Sequence, residues 1–197
     1  SRAVARLLIA GVNLCTGWLV GCEGHVLTNA HCIGSDLDAR NTDFEFLAEG
    51  ASCSTNCSSP GACPGTIVAS TSTLVKKDDL LDYALVRLPT NPTDSYGFLR
   101  LRTGGAVVDE RIYLPGHLGG FGKRISVASD DPADQSGYCE VATLNGPACV
   151  PGGPADVTYG CDTLIMGKTR RSLFARKLAG DVVAQVAQHL PDNVALI

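Results

Sequence analysis

Apolar residues come in short runs along this chain, each closed by glycine, proline or a polar pair. Val4 to Gly11 (VARLLIAG) reads as a buried strand, and Thr16 to Val20 as the next. Gly21–Gly24 has the composition of a hairpin turn, leading into a third strand over Val26 to Asn29. Ala30-His31-Cys32 follows, and Gly34-Ser35 breaks the run. Asp43 to Leu47 alternates as a half-buried strand does. Thr66 to Val75 is rich in β-branched residues, and Tyr83 to Leu88 (YALVRL) ends at Pro89. Between them, residues 50–65 carry no core-forming pattern and predict a cross-linked surface loop. Residues 89–97 read as a linker between two halves. The second half repeats the rhythm: Arg111 to Leu114, Lys123 to Ala128, Tyr138 to Leu144 and Val157 to Tyr159 predict short strands. The tail departs from it. Within Lys168 to Leu190, Phe174, Leu178, Val182 and Val186 fall at helical spacing, and nothing earlier reads that way.

Composition narrows the class. A chain of 197 residues, 45% apolar with 22 glycines, fits one turn-rich all-β domain with a sizeable core. A net charge of −4 argues against a nucleic-acid or polybasic membrane partner. Residues 7–22 carry no charge, yet Asn13, Thr16 and three glycines make a membrane helix a poor reading. Nine cysteines, with Cys53, Cys57 and Cys63 in the polar loop, predict disulfides and a secreted, extracellular protein. The odd count leaves one thiol without a partner in this chain. Ser1 leads straight into the first strand, so an amino-terminal leader is expected to be cleaved or not included. Asn56-Cys57-Ser58 meets the minimal glycosylation pattern, weakly, with cysteine in its middle.

Two residues carry candidate chemistry. His31 stands just after a buried strand and beside a cysteine, where its ring can be held at the core's edge, as a general base requires. Asp82 leads into the apolar strand Tyr83-Ala84-Leu85, and a half-buried carboxylate there needs a partner such as an imidazole N–H. Asp78 and Asp79 do not directly precede that run and read as solvated. His117 reads as a turn residue, His25 as exposed in its hairpin, and Trp18 as core. Cys22 and His25 have ligand-like spacing with His31 and Cys32 nearby. Neighbours on a strand face opposite ways, so neither a metal nor a cofactor is expected.

Cys15-Thr16-Gly17-Trp18-Leu19-Val20, Leu27-Thr28-Asn29-Ala30-His31-Cys32 and Asp82-Tyr83-Ala84-Leu85 resemble the histidine and aspartate motifs of chymotrypsin-like serine peptidases, in the same order. Pro115-Gly116-His117-Leu118-Gly119-Gly120 with Lys123 is similar to the glutamyl-endopeptidase branch, Leu118 replacing the usual proline. The resemblance covers residues 1 to about 163. It implies two antiparallel six-stranded β-barrels with a cleft between them, the second barrel incomplete and followed by a helical tail. Residues 1–90 would form the first barrel, 98–163 part of the second and 164–197 a divergent tail. It also implies His31 as general base, Asp82 as its orienter, a Cys15–Cys32 disulfide, and a monomer acting on protein or peptide substrate.

The resemblance fails at the nucleophile. Where such peptidases carry Gly-x-Ser-Gly, this chain reads Leu164-Ile165-Met166-Gly167-Lys168-Thr169-Arg170-Arg171-Ser172-Leu173. Ser172 is the only serine after Ser136, and its flanks Arg171 and Leu173 suit a helix surface better than an oxyanion loop. Gly180–Ala184 and Pro191–Ala195 keep some likeness to later family segments, but Gln185–Gln188 stands where a histidine-containing pocket strand is expected. Three explanations are compatible with this: a serine endopeptidase with an unusual nucleophile, an inactive relative that binds or inhibits, or a gene product whose serine loop was replaced through an intron or frame change.

Overall fold

In a computed structural model describing residues 2–52, 54–128, 137–147, 151–154, 156–160 and 163–164, the first apolar run becomes β1 (Val4–Ile9). It turns at once into β2 (Asn13–Val20), which starts earlier than the expected Thr16. The turn requires left-handed backbone at Ala10 and Gly11, with φ of 51° and 71°; glycine adopts this freely and alanine does not. Next comes β3 (His25–Thr28), then β4 (Thr42–Phe46), β5 (Thr66–Ala69), β6 (Thr73–Asp78) and β7 (Tyr83–Arg87). They form one curled antiparallel sheet in the order β5-β4-β1-β2-β3-β7-β6.

The two edge strands of that sheet are successive pieces of chain. A single strand was expected over Thr66 to Val75, but Ser72 donates both its N–H and its hydroxyl to the carbonyl of Ala39, each at 2.9 Å. Those bonds draw the chain out of strand geometry between β5 and β6. The sheet therefore has seven strands where six were expected, curled like a half-barrel. Alternation fills it: Thr42, Phe44 and Phe46 of β4 are buried while Asp43 and Glu45 are half-buried. Leu7, Ile9, Leu19, Val26, Phe44, Phe46, Ala84 and Val86 meet in one cluster. Trp18, read as core, is half-buried and packs against a second cluster of Val20, Leu27, Tyr83, Leu85 and Leu101.

Two helical turns stand where the pattern predicted none. In α1 (Asp36–Arg40), the Ser35 hydroxyl caps the helix by accepting from the N–H of Asp38 at 3.2 Å. In α2 (Thr93–Tyr96), inside the expected linker, Tyr96 lays its ring against Phe46 with centroids 4.6 Å apart. Residues 89–97 are therefore partly packed onto the core.

The described second half has shorter strands: β8 (Leu114–Gly116), β9 (Arg124–Ala128), β10 (Glu140–Gly146), β11 (Asp156–Gly160) and β12 (Thr163–Leu164). They make a three-stranded sheet, β12-β9-β8, and a β10-β11 pair. Of the expected Arg111–Leu114 strand only Leu114 enters β8, and Arg111 instead bridges to Glu140. The expected tail helix over 168–190 lies outside the described residues, as does Ser172.

Polar clamps tie the halves together. Arg6 is 3% exposed, an unusual place for a charge. Its Nε and Nη2 reach Glu45 at 2.8 and 2.7 Å, and its Nη1 donates to the carbonyls of Ala62 and Gly120 at 2.9 and 3.0 Å. Lys123 is likewise buried and pairs with Glu49 at 3.1 Å. The predicted cross-linked loop sits between, stapled by Cys57–Cys63 and bonded through Gly61 N–H to the Gly120 carbonyl at 3.0 Å. Gly120 has φ 72°, and a Cβ there would lie 2.2 Å from Leu14, so no larger residue fits.

Candidate active site

The end of β3 builds the histidine's seat. Thr28 is buried, and its hydroxyl donates to the Thr16 carbonyl at 2.8 Å, which fixes the strand end on β2. The N–H groups of Cys32 and Ile33 then both donate to the Asn29 carbonyl at 3.1 Å, closing a tight turn that projects His31. A Cys15–Cys32 disulfide anchors the turn from behind.

Asp82 arrives from the other direction, immediately before β7, with a left-handed φ of 48°. Aspartate is among the few non-glycine residues that tolerate this conformation. Its carboxylate is 14% exposed and accepts three hydrogen bonds. The backbone N–H of His31 donates to Oδ1 at 2.9 Å, and His31 Nδ1 and Asn29 Nδ2 lie 2.7 and 3.1 Å from Oδ2. Asn29 also donates to the Asp82 carbonyl at 3.1 Å, holding the residue at both ends. A carboxylate can only accept, so the hydrogen of the neutral ring resides on Nδ1 and Nε2 keeps a free lone pair. The His31 side chain is 68% exposed. This is a base aligned from one side and open on the other.

The structure thus brings His31 and Asp82 together and leaves the other acids outside. Asp78 accepts from the N–H groups of Leu80 and Leu81 at 2.9 Å each, and Asp79 pairs with Lys77 on the surface. His25 corrects an expectation: it is 3% exposed, because β3 begins at His25 and pairs it between Val20 and Arg87. Burial lowers its pKa, Glu23 opposes that shift, and Arg87 adds to it. Cys22 is an exposed free thiol. Cys15, His31 and Cys32 place potential ligand atoms within 4.8 Å of one another, but both sulfurs are bound in the disulfide and offer no thiolate.

His117 does occupy a turn, and it is also buried at 2% exposure. Its N–H donates to the Thr16 hydroxyl at 2.9 Å, and its Nδ1 lies 3.0 Å from the Phe121 carbonyl. Burial brings its pKa down to about 4, against a smaller upward pull from the Phe121 carbonyl. Thr16 therefore touches both the strand end that seats His31 and the segment from the second half. Neither Thr16 nor Asn29 was singled out from sequence. For Asn29 the available signal was an amide two residues before the histidine, at a strand end that needs a polar partner for Asp82.

The family model of the trypsin-like peptidase domain matches residues 15–146. Over 166 residues the chain is 50% identical to Secreted RxLR effector protein 73 of Plasmopara viticola, a match taking in 83% of this chain and 39% of that protein. The chain therefore spans about two-fifths of the length of that relative. Among solved structures it is similar to the MamO protease domain from Magnetospirillum magneticum in its apo form, with a TM-score of 0.58, 14% identity and 97% of each chain covered. It is also similar to the HtrA-type protease AlgW with tripeptide, at a TM-score of 0.51 and 16% identity, covering 80% of this chain and 42% of that one. At such identities the two structures speak for the fold, which is chymotrypsin-like. The Cys15–Cys32 and Cys57–Cys63 disulfides and the half-identical secreted relative make this an extracellular protein, as the cysteine density implied.

Proposed function

The chain belongs to the trypsin-like peptidase domain family, and on that premise we propose that it binds a protein or peptide segment beside His31 without hydrolysing it. One observation carries this reading: a fully oriented His31–Asp82 pair coexists with a sequence in which no Gly-x-Ser-Gly occurs. A base aligned by a carboxylate does nothing for acyl transfer unless a hydroxyl lies on its free side. Losing the nucleophile from such a triad lowers turnover by roughly a million-fold. On this reading residues 1–90 supply one wall of the cleft and 98–163 the other. Pro115 to Lys123 supports placing the chain nearer the glutamyl-endopeptidase branch. A relative named as a secreted effector fits a protein that works through a partner.

A second reading is peptide-bond hydrolysis by a serine, and the 2.7 Å contact between His31 and Asp82 favours it. His31 Nε2 would take the hydroxyl proton, and Asp82 would stabilise the resulting imidazolium. Ser172 would have to supply the hydroxyl, between Arg171 and Leu173. A fluorophosphonate probe separates the two readings. No labelling of the purified protein is expected. Stoichiometric labelling mapped to Ser172, and abolished in His31→Ala, would establish hydrolysis instead.

A further inference from the structure

Away from His31 and Asp82, a cleft of about 320 Å³ opens where the end of α1 meets the β5–β6 bend and the end of β7. We propose that this cleft binds a phosphate or sulfate monoester. Arg40 and Arg87 line it, together with the hydroxyl residues Thr71, Ser72 and Thr73.

Backbone geometry brings both arginines to the cleft. The Ala39 carbonyl receives both bonds from Ser72, which sets Arg40 beside the bend. Thr73 lies directly opposite Arg87 in the β6–β7 register, which sets Arg87 on the other side of it. A basic residue at the carbonyl end of a helix is ordinary. A second arginine lining the same cleft is not explained by that helix.

Both arginines are exposed, and among the described residues neither guanidinium has a carboxylate within ion-pair distance or a hydrogen bond. Five other described arginines are engaged: Arg6 and Arg102 pair with Glu45 and Glu110, while Arg100, Arg111 and Arg124 lie over aromatic rings. No acidic side chain lines the cleft, although the chain carries a net charge of −4. Two like charges without a counter-ion repel, and an oxyanion removes that repulsion while accepting the paired N–H groups of each planar fork. The Ser72 hydroxyl is already committed to Ala39, but among the described residues those of Thr71 and Thr73 make no hydrogen bond and can donate to further oxygens. The volume lies at the lower end of the roughly 300–1,000 Å³ range of small-molecule pockets. That exceeds what a bare ion fills, and Leu88 and Pro89 give the organic part of an ester an apolar wall.

Calorimetric titration tests this at constant ionic strength, using O-phosphoserine, inorganic phosphate and inorganic sulfate against a chloride blank. Saturable one-to-one binding of O-phosphoserine is expected, tighter than that of either inorganic ion. Arg40→Gln and Arg87→Gln should each weaken it about tenfold, and the double variant should abolish it. Arg100→Gln and His31→Ala should leave it unchanged. Both cleft positions are solvent-exposed, and matching urea midpoints will show that the variants are folded. Undiminished binding in the double variant, loss of binding in His31→Ala, or an inorganic ion binding as tightly as the ester would each overturn the proposal.

Discussion

Between β1 and its neighbours the register runs unbroken, from Val4↔Trp18 to Ile9↔Asn13 on one side and from Ala5↔Phe46 to Ile9↔Thr42 on the other. Elsewhere in that sheet it shifts once in each edge pair, β4–β5 and β6–β7, whereas in the described second half it shifts twice between β10 and β11 and once between β9 and β12. Among the described residues the packing beneath the two sheets differs as well. Leu7, Ile9, Leu19, Phe44 and Phe46 are at most 1% exposed beneath the first. Beneath the described second half the cluster is Cys139 with Ile112 and Leu114 packed against it. A densely filled sheet punishes any slip in register, because a one-residue shift would turn its whole apolar face outward. His31, Asp82 and Asn29 all sit at the ends of the well-filled sheet's strands. The pair's geometry therefore goes with the folding of the first sheet.

The contrast can be broken or sharpened by substitution. Phe44→Ala should destabilise the protein by about 4 kcal/mol in urea unfolding, since a fully buried ring would leave a cavity; a loss below about 1 kcal/mol would mean that the first core is not the keystone. Arg6→Ala should cost about 3 kcal/mol by leaving the largely buried Glu45 carboxylate without its cation. Two unfolding transitions in that variant would show that the clamp joins separable halves.

The pH dependence tests the same junction. Unfolded His117 takes up a proton near its ordinary pKa of 6.5, whereas the folded protein resists until about 4. Between those values protons favour the unfolded chain, so the stabilisation is complete above about pH 6.5 and is lost as pH falls to about 4. The loss should reach about 3 kcal/mol, and His117→Gln should flatten the profile. Burial of His25 acts in the same direction. Replacing Cys57 and Cys63 together by serine should cost about 2 kcal/mol, as expected for so short a loop. Leu114→Ala, at a half-buried position of the described second half, should cost about 1 kcal/mol. A loss equal to that of Phe44→Ala would erase the distinction between the halves.

The legible parts of the fold were those with local causes. Alternation revealed β4, paired glycines revealed the β2–β3 turn, and the order of a strand-end histidine and a pre-strand aspartate revealed the pair that meets at 2.7 Å. Ser35 with Asp38 three residues on was a readable helix start that the flanking strands obscured. Other features had distant causes. Ser70, Thr71 and Ser72 look like strand, and only the Ala39 carbonyl, over thirty positions upstream, bends them away. His25 looked exposed because Gly24 precedes it, and its burial comes from β7 closing over it. Arg6 in an apolar strand gave no sign that its partners stand 39, 56 and 114 positions further on.

That last span bears on the order in which the molecule can be made. A ribosome delivers Arg6 well before the Gly120 carbonyl, so the first sheet emerges with a charge on its strand that Glu45 and the Ala62 carbonyl must answer first. The nascent barrel must keep that guanidinium hydrated, with its face toward the missing segment left ajar, until the second half arrives to exclude the water. Chains halted before Gly120 should therefore expose this seam to proteases.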